Sequence, residues 1–414
     1  MGTAYWLTNV RLETGYRREN GVVLGTDASL FHILIKDGKF ARIAQATETL
    51  ADDLPQKDAK GLLALPSFIE KHVHLDKTLL GEPWRAVIPV ANIIERCEIE
   101  KRALPALPTT TQERAENLLS VLLSYGSTHV RTHVDIYPEA GISNLESVQA
   151  ALATYADRVT HEIVAFPQHG LLRTDAQPLL REALRQGATH VGGVDPATVD
   201  GDLEQSLHQM MELAVEANAG VDLHLHDPGH LGTFTMKRLA AMTVDAGWQG
   251  RVAISHAFAL GDIPVPEAEE MATILREAGI TIISSVPFSR AIPPVSLLHQ
   301  NGVDVALGCD NIFDTWQPYG NGDVLERLWR LAERNRWLDE LALSQSLRFI
   351  TGGKTTLDAN GTQLWPAVGE EASLVLVEAS CSAEAIARRA DRQAVFFKGS
   401  QVAGQVEEAA TTKG

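Results

Sequence analysis

The sequence predicts an α/β protein: a closed (β/α)₈ TIM barrel, with a small β unit built from both chain ends. Three observations predict it. From residue 62 onward short apolar runs alternate with amphipathic stretches, and the apolar runs number eight. Alternating strand and helix give a parallel sheet, and eight such units close it into a barrel. Polar side chains then recur at the C-terminal ends of seven of the eight runs, where a barrel carries its chemistry.

Residues 1–61 hold short alternating pieces at 5–9, 22–24, 31–35 and 40–43, with Asp37–Gly38 between the last two as a hairpin signal. This segment is too short to enclose a core of its own and is expected to pack on something else. Residues 62–352 form the barrel, with strands at 62–75, 128–135, 162–168, 190–195, 221–226, 251–256, 280–286 and 303–310. Helical periodicity fills the gaps, for example at 112–124, 203–219, 233–246 and 266–278. A doubly wound open sheet is the rival, but no Gly-x-Gly-x-x-Gly follows a strand. Residues 353–414 return to short strands at 368–369, 373–377, 394–398 and 401–402, expected to complete the N-terminal unit, and 407–414 is expected to fray.

Composition narrows the function classes. The 414 residues are 45% hydrophobic and 21% charged, with a net charge of −17 spread along the chain. That acidic balance argues against nucleic acid or an anionic membrane as a partner. The three cysteines, Cys97, Cys309 and Cys381, form no CxxC pair, so a thiolate zinc site or disulfide framework is not expected. No basic, apolar leader opens the sequence, and no apolar run approaches the roughly 20 residues a membrane helix needs. The expectation is a cytoplasmic protein.

The strand ends hold the candidates. His72 and His74 lie two apart, so on a strand their imidazoles share one face. His133 and Asp135 end the second strand, Gln168 the third, Asp195 the fourth, His224 and Asp227 the fifth, His256 the sixth and Asp310 the eighth. Gathering so many polar groups at one axis costs free energy unless they bind something, most simply a metal and a polar substrate. Gln168 offers an amide donor and acceptor, suited to reading an N–C=O edge. Lys77 could face a substrate oxygen, and Trp316 could cap the pocket. The His-x-Glu and Pro-Cys-x-x-Cys pair of the small zinc deaminases is missing, as is the Gly-x-Ser-x-Gly of serine hydrolases.

Six segments, 66–76, 130–135, 164–168, 221–224, 254–256 and 308–316, together resemble the amidohydrolase superfamily, and within it the cytosine deaminase branch. The resemblance implies the same barrel with a flanking β-sandwich from both termini, and assembly as a homo-oligomer. It implies one divalent metal ion, Zn²⁺ or Fe²⁺, held by His72, His74, His224 and Asp310. Two-metal members bridge their ions with a lysine at the fourth strand, where this chain reads Gly192–Gly193–Val194–Asp195. The family's proton shuttle falls on Asp227, an aspartate where the family has glutamate; its bland alternative is a helix N-cap. His256 is expected beside the attacking water, and Asp310 to combine ligation with proton acceptance. His133 and Asp135 are expected to brace the ligands from behind. The implied reaction is hydrolytic deamination of a small nitrogen heterocycle, cytosine-like. Asn311 departs from the branch, which has a second aspartate there, and the run Val194–Thr198 resembles instead the aminohydrolases of N-isopropylammelide, an N-alkylamino-s-triazine. Hydrolysis of a cyclic amide and a non-catalytic metal-binding scaffold are the remaining alternatives.

Overall fold

The structure, a computed structural model, describes residues 4–50 and 53–408. The expected fraying of the tail falls mostly on residues outside this set. Among the described residues the chain forms two sheets, one of eight strands and one of nine. The eight-stranded sheet is the predicted barrel. Its strands run in sequence order: Phe68–Val73, Ser127–Asp135, Thr160–Phe166, His190–Val194, Gly220–Leu225, Val252–His256, Ile280–Ser284 and Val305–Leu307. Every neighbouring pair is parallel. Helices such as Leu203–Ala217, Gly229–Asp245 and Val265–Glu277 connect them, burying Leu207, Leu239 and Leu275 against the sheet.

Closure between the eighth strand and the first is made by few bonds. Val73 bridges Asp310, and the Asp310 amide donates to the His72 carbonyl at 2.6 Å. The buried Glu70 carboxylate reinforces this seam by accepting from the amides of His72 and Cys309, each at 2.9 Å. Gly308 allows the close approach: a Cβ there would lie 2.5 Å from the backbone nitrogen and Cβ of His72. Gly308→Ala must therefore push the two strands apart. We expect a loss of about 1–3 kcal/mol, the range for overpacking, read as a lower midpoint in urea unfolding.

The sequence reads 62–75 as one strand, and the structure divides it. Leu63–Pro66 belongs to the nine-stranded sheet, paired antiparallel with Leu374–Val377, and the barrel begins at Phe68. Pro66 has no amide hydrogen to continue a ladder, which is the local reason for the break. The nine-stranded sheet unites both termini, in the order Ser400–Gly404, Arg392–Phe397, Leu374–Val377, Leu63–Pro66, Ala4–Glu19, Val22–Lys36, Lys39–Gln45. Two further short strands, Gln56–Asp58 and Glu407–Glu408, attach beside Ala4–Glu19. Ala4–Glu19 and Val22–Lys36 are 16 and 15 residues long, where alternation suggested short pieces. Register shifts after Leu7, Glu13 and Arg17 slip the alternation by a residue, so one long strand looks like several. Asp37 and Gly38 both take positive φ, 52° and 76°, as a two-residue hairpin requires. The expected strand at 368–369 is a loop, tied to the sheet by one bond from the Gly369 amide to the Phe40 carbonyl.

Candidate active site

The C-terminal mouth of the barrel gathers the histidines that the strand ends predicted. His72 and His74 leave the first strand with ring centroids 5.5 Å apart. His224, from the fifth, lies 4.6 Å from His72 and 5.5 Å from His74. Asp310 places one carboxylate oxygen 3.5 Å from His72 Nε2 and 3.3 Å from His74 Nε2. Burial alone would raise the Asp310 pKa, but the two imidazoles outweigh it and hold the carboxyl well below the usual range. His133, His72 and His224 also bring one nitrogen each within 4.8 Å of one another, and one nitrogen each of His72 and His74 lies equally close to a carboxylate oxygen of Asp310.

These groups lack what buried polar atoms normally have. His72 Nε2, His74 Nδ1 and both ring nitrogens of His133 and His224 are buried without a hydrogen-bond partner. Burial and mutual repulsion push the His224 and His133 pKa values well below the ordinary imidazole value, so both are neutral with lone pairs available. Neutral imidazoles converging on a carboxylate are a donor set for a divalent cation, and the orphaned nitrogens fit one.

Backbone strain marks the same rim. Asp195, His256, Val286 and Asp310, at the ends of the fourth, sixth, seventh and eighth strands, have positive φ of 35°, 69°, 48° and 61°. Aspartate takes such angles readily in turns, as Asp37 does, but a β-branched residue such as Val286 holds one only where its surroundings over-determine it.

Beside the histidines, Asp195 accepts from the backbone amides of His226 and Asp227 at 2.5 and 3.1 Å and pairs with His226 Nδ1 at 2.8 Å. Burial would lower the His226 pKa, but Asp195 outweighs it and raises it. His226 stacks on His256 with centroids 4.5 Å apart. Burial, then the His226 charge, pushes His256 well below its ordinary value. His226, two residues past His224, thus links Asp195 to the ring of His256.

Asp227 does not cap the following helix. The cap position of Gly229–Asp245 is Pro228, and no side chain bonds there. Instead, one Asp227 oxygen accepts from Thr198 Oγ1 at 2.7 Å, and the other is buried without a partner. Burial raises its pKa above the usual aspartate value.

On the other side lies a polar cluster. Lys77 is buried, donates to Gln168 Oε1, and sits 3.6 Å from Asp135 and 3.9 Å from Glu100. Burial opposes its charge, but Asp135, Glu100 and Asp76 outweigh that and raise its pKa. Gln168 is therefore engaged at both ends, since its Nε2 donates to Glu100 at 2.9 Å. Asp135 faces Lys77 rather than bracing an imidazole. Asn311 donates to Asp314 at 2.7 Å, leaving its carbonyl oxygen as the part available to another molecule. The Trp316 indole donates to Glu100 at 2.8 Å, and its ring lies 5.5 Å from the Lys77 ammonium.

Glu100 went unread in the sequence. It sits on the helix Ile93–Ala103, inserted between the first two barrel strands, and joins Lys77, Gln168, Thr315 and Trp316. Flanked by Ile99 and Lys101, it carries no spacing signal. Glu70, Arg131 and Asp222 were also missed, although a signal existed. Each stands two residues before a rim histidine (His72, His133, His224) and so shares its inward face.

Comparison with known proteins accords with this geometry. Residues 57–405 match the model of the amidohydrolase family. The chain is 42% identical over 406 residues to YahJ, an uncharacterized protein of Escherichia coli K12, covering 97% of this chain and 88% of that one. Among solved structures, N-isopropylammelide isopropylaminohydrolase from Burkholderia multivorans superposes with a TM-score of 0.85 at 33% identity, covering 97% of this chain and 98% of that one. 5-Methylcytosine deaminase from Klebsiella pneumoniae superposes with a TM-score of 0.78 at 28% identity, covering 97% of each. No helix among the described residues is long and apolar enough to cross a membrane. The chain belongs to the amidohydrolase family.

Proposed function

We propose that this protein is a metal-dependent aminohydrolase that removes an amine substituent from a small nitrogen heterocycle of the cytosine type, leaving a ring carbonyl. The observation that carries the reading is the set of buried, unpartnered imidazole nitrogens gathered with Asp310 at the barrel mouth. His72, His74, His224 and Asp310 would hold one divalent ion, and three nitrogens with one carboxylate suit Zn²⁺ or Fe²⁺. Such an ion, when bound, acts as a Lewis acid and makes water nucleophilic near neutral pH.

The remaining work belongs to the side chains. Asp227, with one free buried oxygen, takes a proton from the attacking water and delivers it to the departing nitrogen, so that the C–N bond breaks as the C–O bond is completed. Asp310, held ionised by its imidazole neighbours, is a second acceptor for that proton. His256, kept neutral, orients the water by hydrogen bonding. Lys77, Asn311 and Trp316 form the substrate side, with Gln168 tying Lys77 to Glu100: Lys77 supplies a fixed positive charge for a ring oxygen, Asn311 an acceptor for a ring N–H, and Trp316 an aromatic wall.

A second reading, removal of an alkylamine from an N-alkylamino-s-triazine, is favoured by one observation. The isopropylaminohydrolase is the nearer of the two solved enzymes in both identity and superposition. Both readings place the substrate in the same pocket, and the protein acts on a small molecule. Amine release from cytosine, 5-methylcytosine, ammelide and N-isopropylammelide by the metal-loaded protein tests them. Ammonia from a pyrimidine is the expected result, isopropylamine would select the second reading, and ring opening without amine release contradicts both.

A further inference from the structure

Behind His72 a chain of hydrogen bonds runs down the barrel axis. His72 Nδ1 lies 2.8 Å from Ser255 Oγ, and Ser255 donates to Asp222 Oδ1 at 2.7 Å. The other oxygen of Asp222 accepts from Arg131 at 2.8 Å. Arg131 in turn donates through Nε to Glu162 at 2.8 Å, and its side chain lines a cavity of about 330 Å³ at the opposite end of the barrel. Ser255, Asp222 and His72 are essentially inaccessible to solvent, so no water competes for these bonds.

The direction of each bond can be counted. A guanidinium only donates, so one Asp222 oxygen accepts from Arg131, and the other accepts from Ser255. Ser255 has a single proton, and Asp222 takes it. The Ser255 oxygen is then left with lone pairs, and His72 Nδ1 must donate. That leaves the proton off Nε2, the atom facing Asp310 at 3.5 Å. Outer partners of this kind fix the tautomer and ring orientation of a ligating histidine.

We propose that Arg131, Asp222 and Ser255 form a relay that locks His72 as its Nδ1–H tautomer, so that the Nε2 lone pair is presented to the metal site before any ion arrives. Ser255 and Asp222 are thereby positioning residues, acting through His72. His74 and His224 have no such backing, since His74 Nδ1 and both His224 nitrogens are unpartnered. His72 is the pre-set member of the ligand set, and the others adjust to the ion it receives. This inference rests on the reading of His72 as a metal ligand.

The test uses full-length protein stripped of metal by chelation. Zn²⁺ affinity is measured by competition with a chromophoric chelator, and ¹⁵N resonances of labelled histidine report the His72 tautomer. We expect Nδ1–H at His72 in the native apo protein. Ser255→Ala should weaken Zn²⁺ binding by about 10- to 100-fold, the scale for loss of an outer partner, and abolish the tautomer preference. Asp222→Asn should weaken it in the same direction, while Ser255→Thr, which keeps the hydroxyl, should bind as the native chain does. Native affinity in Ser255→Ala with the tautomer unchanged would overturn the relay alone. A native protein that binds no Zn²⁺ would overturn the ligand set and the relay with it. Should the variants not fold, the native spectrum still decides: a proton on His72 Nε2 in the apo protein refutes the relay.

Discussion

His74→Ala is expected to abolish metal binding and amine release together. His74 Nε2 and His72 Nε2 approach the same oxygen of Asp310, at 3.3 and 3.5 Å, so removing either imidazole opens one side of the site. An ion supplies several kcal/mol of transition-state stabilisation, and each 1.36 kcal/mol is about tenfold in rate. Turnover should therefore fall by about 10³-fold or more, with metal content per chain, read by plasma mass spectrometry, falling in parallel. The fold should survive, because the seam beside His74 is held by Glu70 and the His72 backbone. Full metal content in His74→Ala would show that this imidazole is not a ligand.

Asp227→Ala is expected to separate the two properties. Asp227 stands one step outside the imidazole cluster, bonded to Thr198 with its second oxygen free. Its loss should leave bound metal near one ion per chain while kcat falls by about 10²- to 10⁴-fold, the range for a general acid–base group. The pH profile carries a further signature. Asp227 must be ionised to accept a proton, and burial raises its pKa, so activity is lost as pH falls through that raised value. The acid limb of the native profile should accordingly lie above the ~3.9 of a free aspartate, and Asp227→Glu should retain an acid limb where Asp227→Ala does not.

The parts of this site that were legible in the sequence are those governed by strand geometry. Alternation places His72 with His74, and the rule that barrel chemistry sits at strand ends selects His224, His256 and Asp310. What was not legible depends on contacts between segments with no shared period. Glu100 reaches the pocket because an inserted helix folds over the mouth, and nothing in Ile99–Glu100–Lys101 distinguishes it from a solvated helix face. Gln168 reads as a free amide, yet Lys77 and Glu100 occupy both of its ends. The long strands of the terminal sheet were hidden for a different reason, since bulges shift the alternation that would have joined the pieces. In the barrel, the division of 62–75 between two sheets turns on Pro66 and on a partner strand some 300 residues away, paired at Leu374.

The central claim is that His72, His74, His224 and Asp310 hold one divalent ion at the barrel mouth. The most direct measurement is anomalous diffraction at the zinc edge from crystals of the Zn²⁺-loaded protein. One peak touching all four side chains is the predicted result. A peak held by other residues, or a loaded crystal with no peak among these four, would contradict the account.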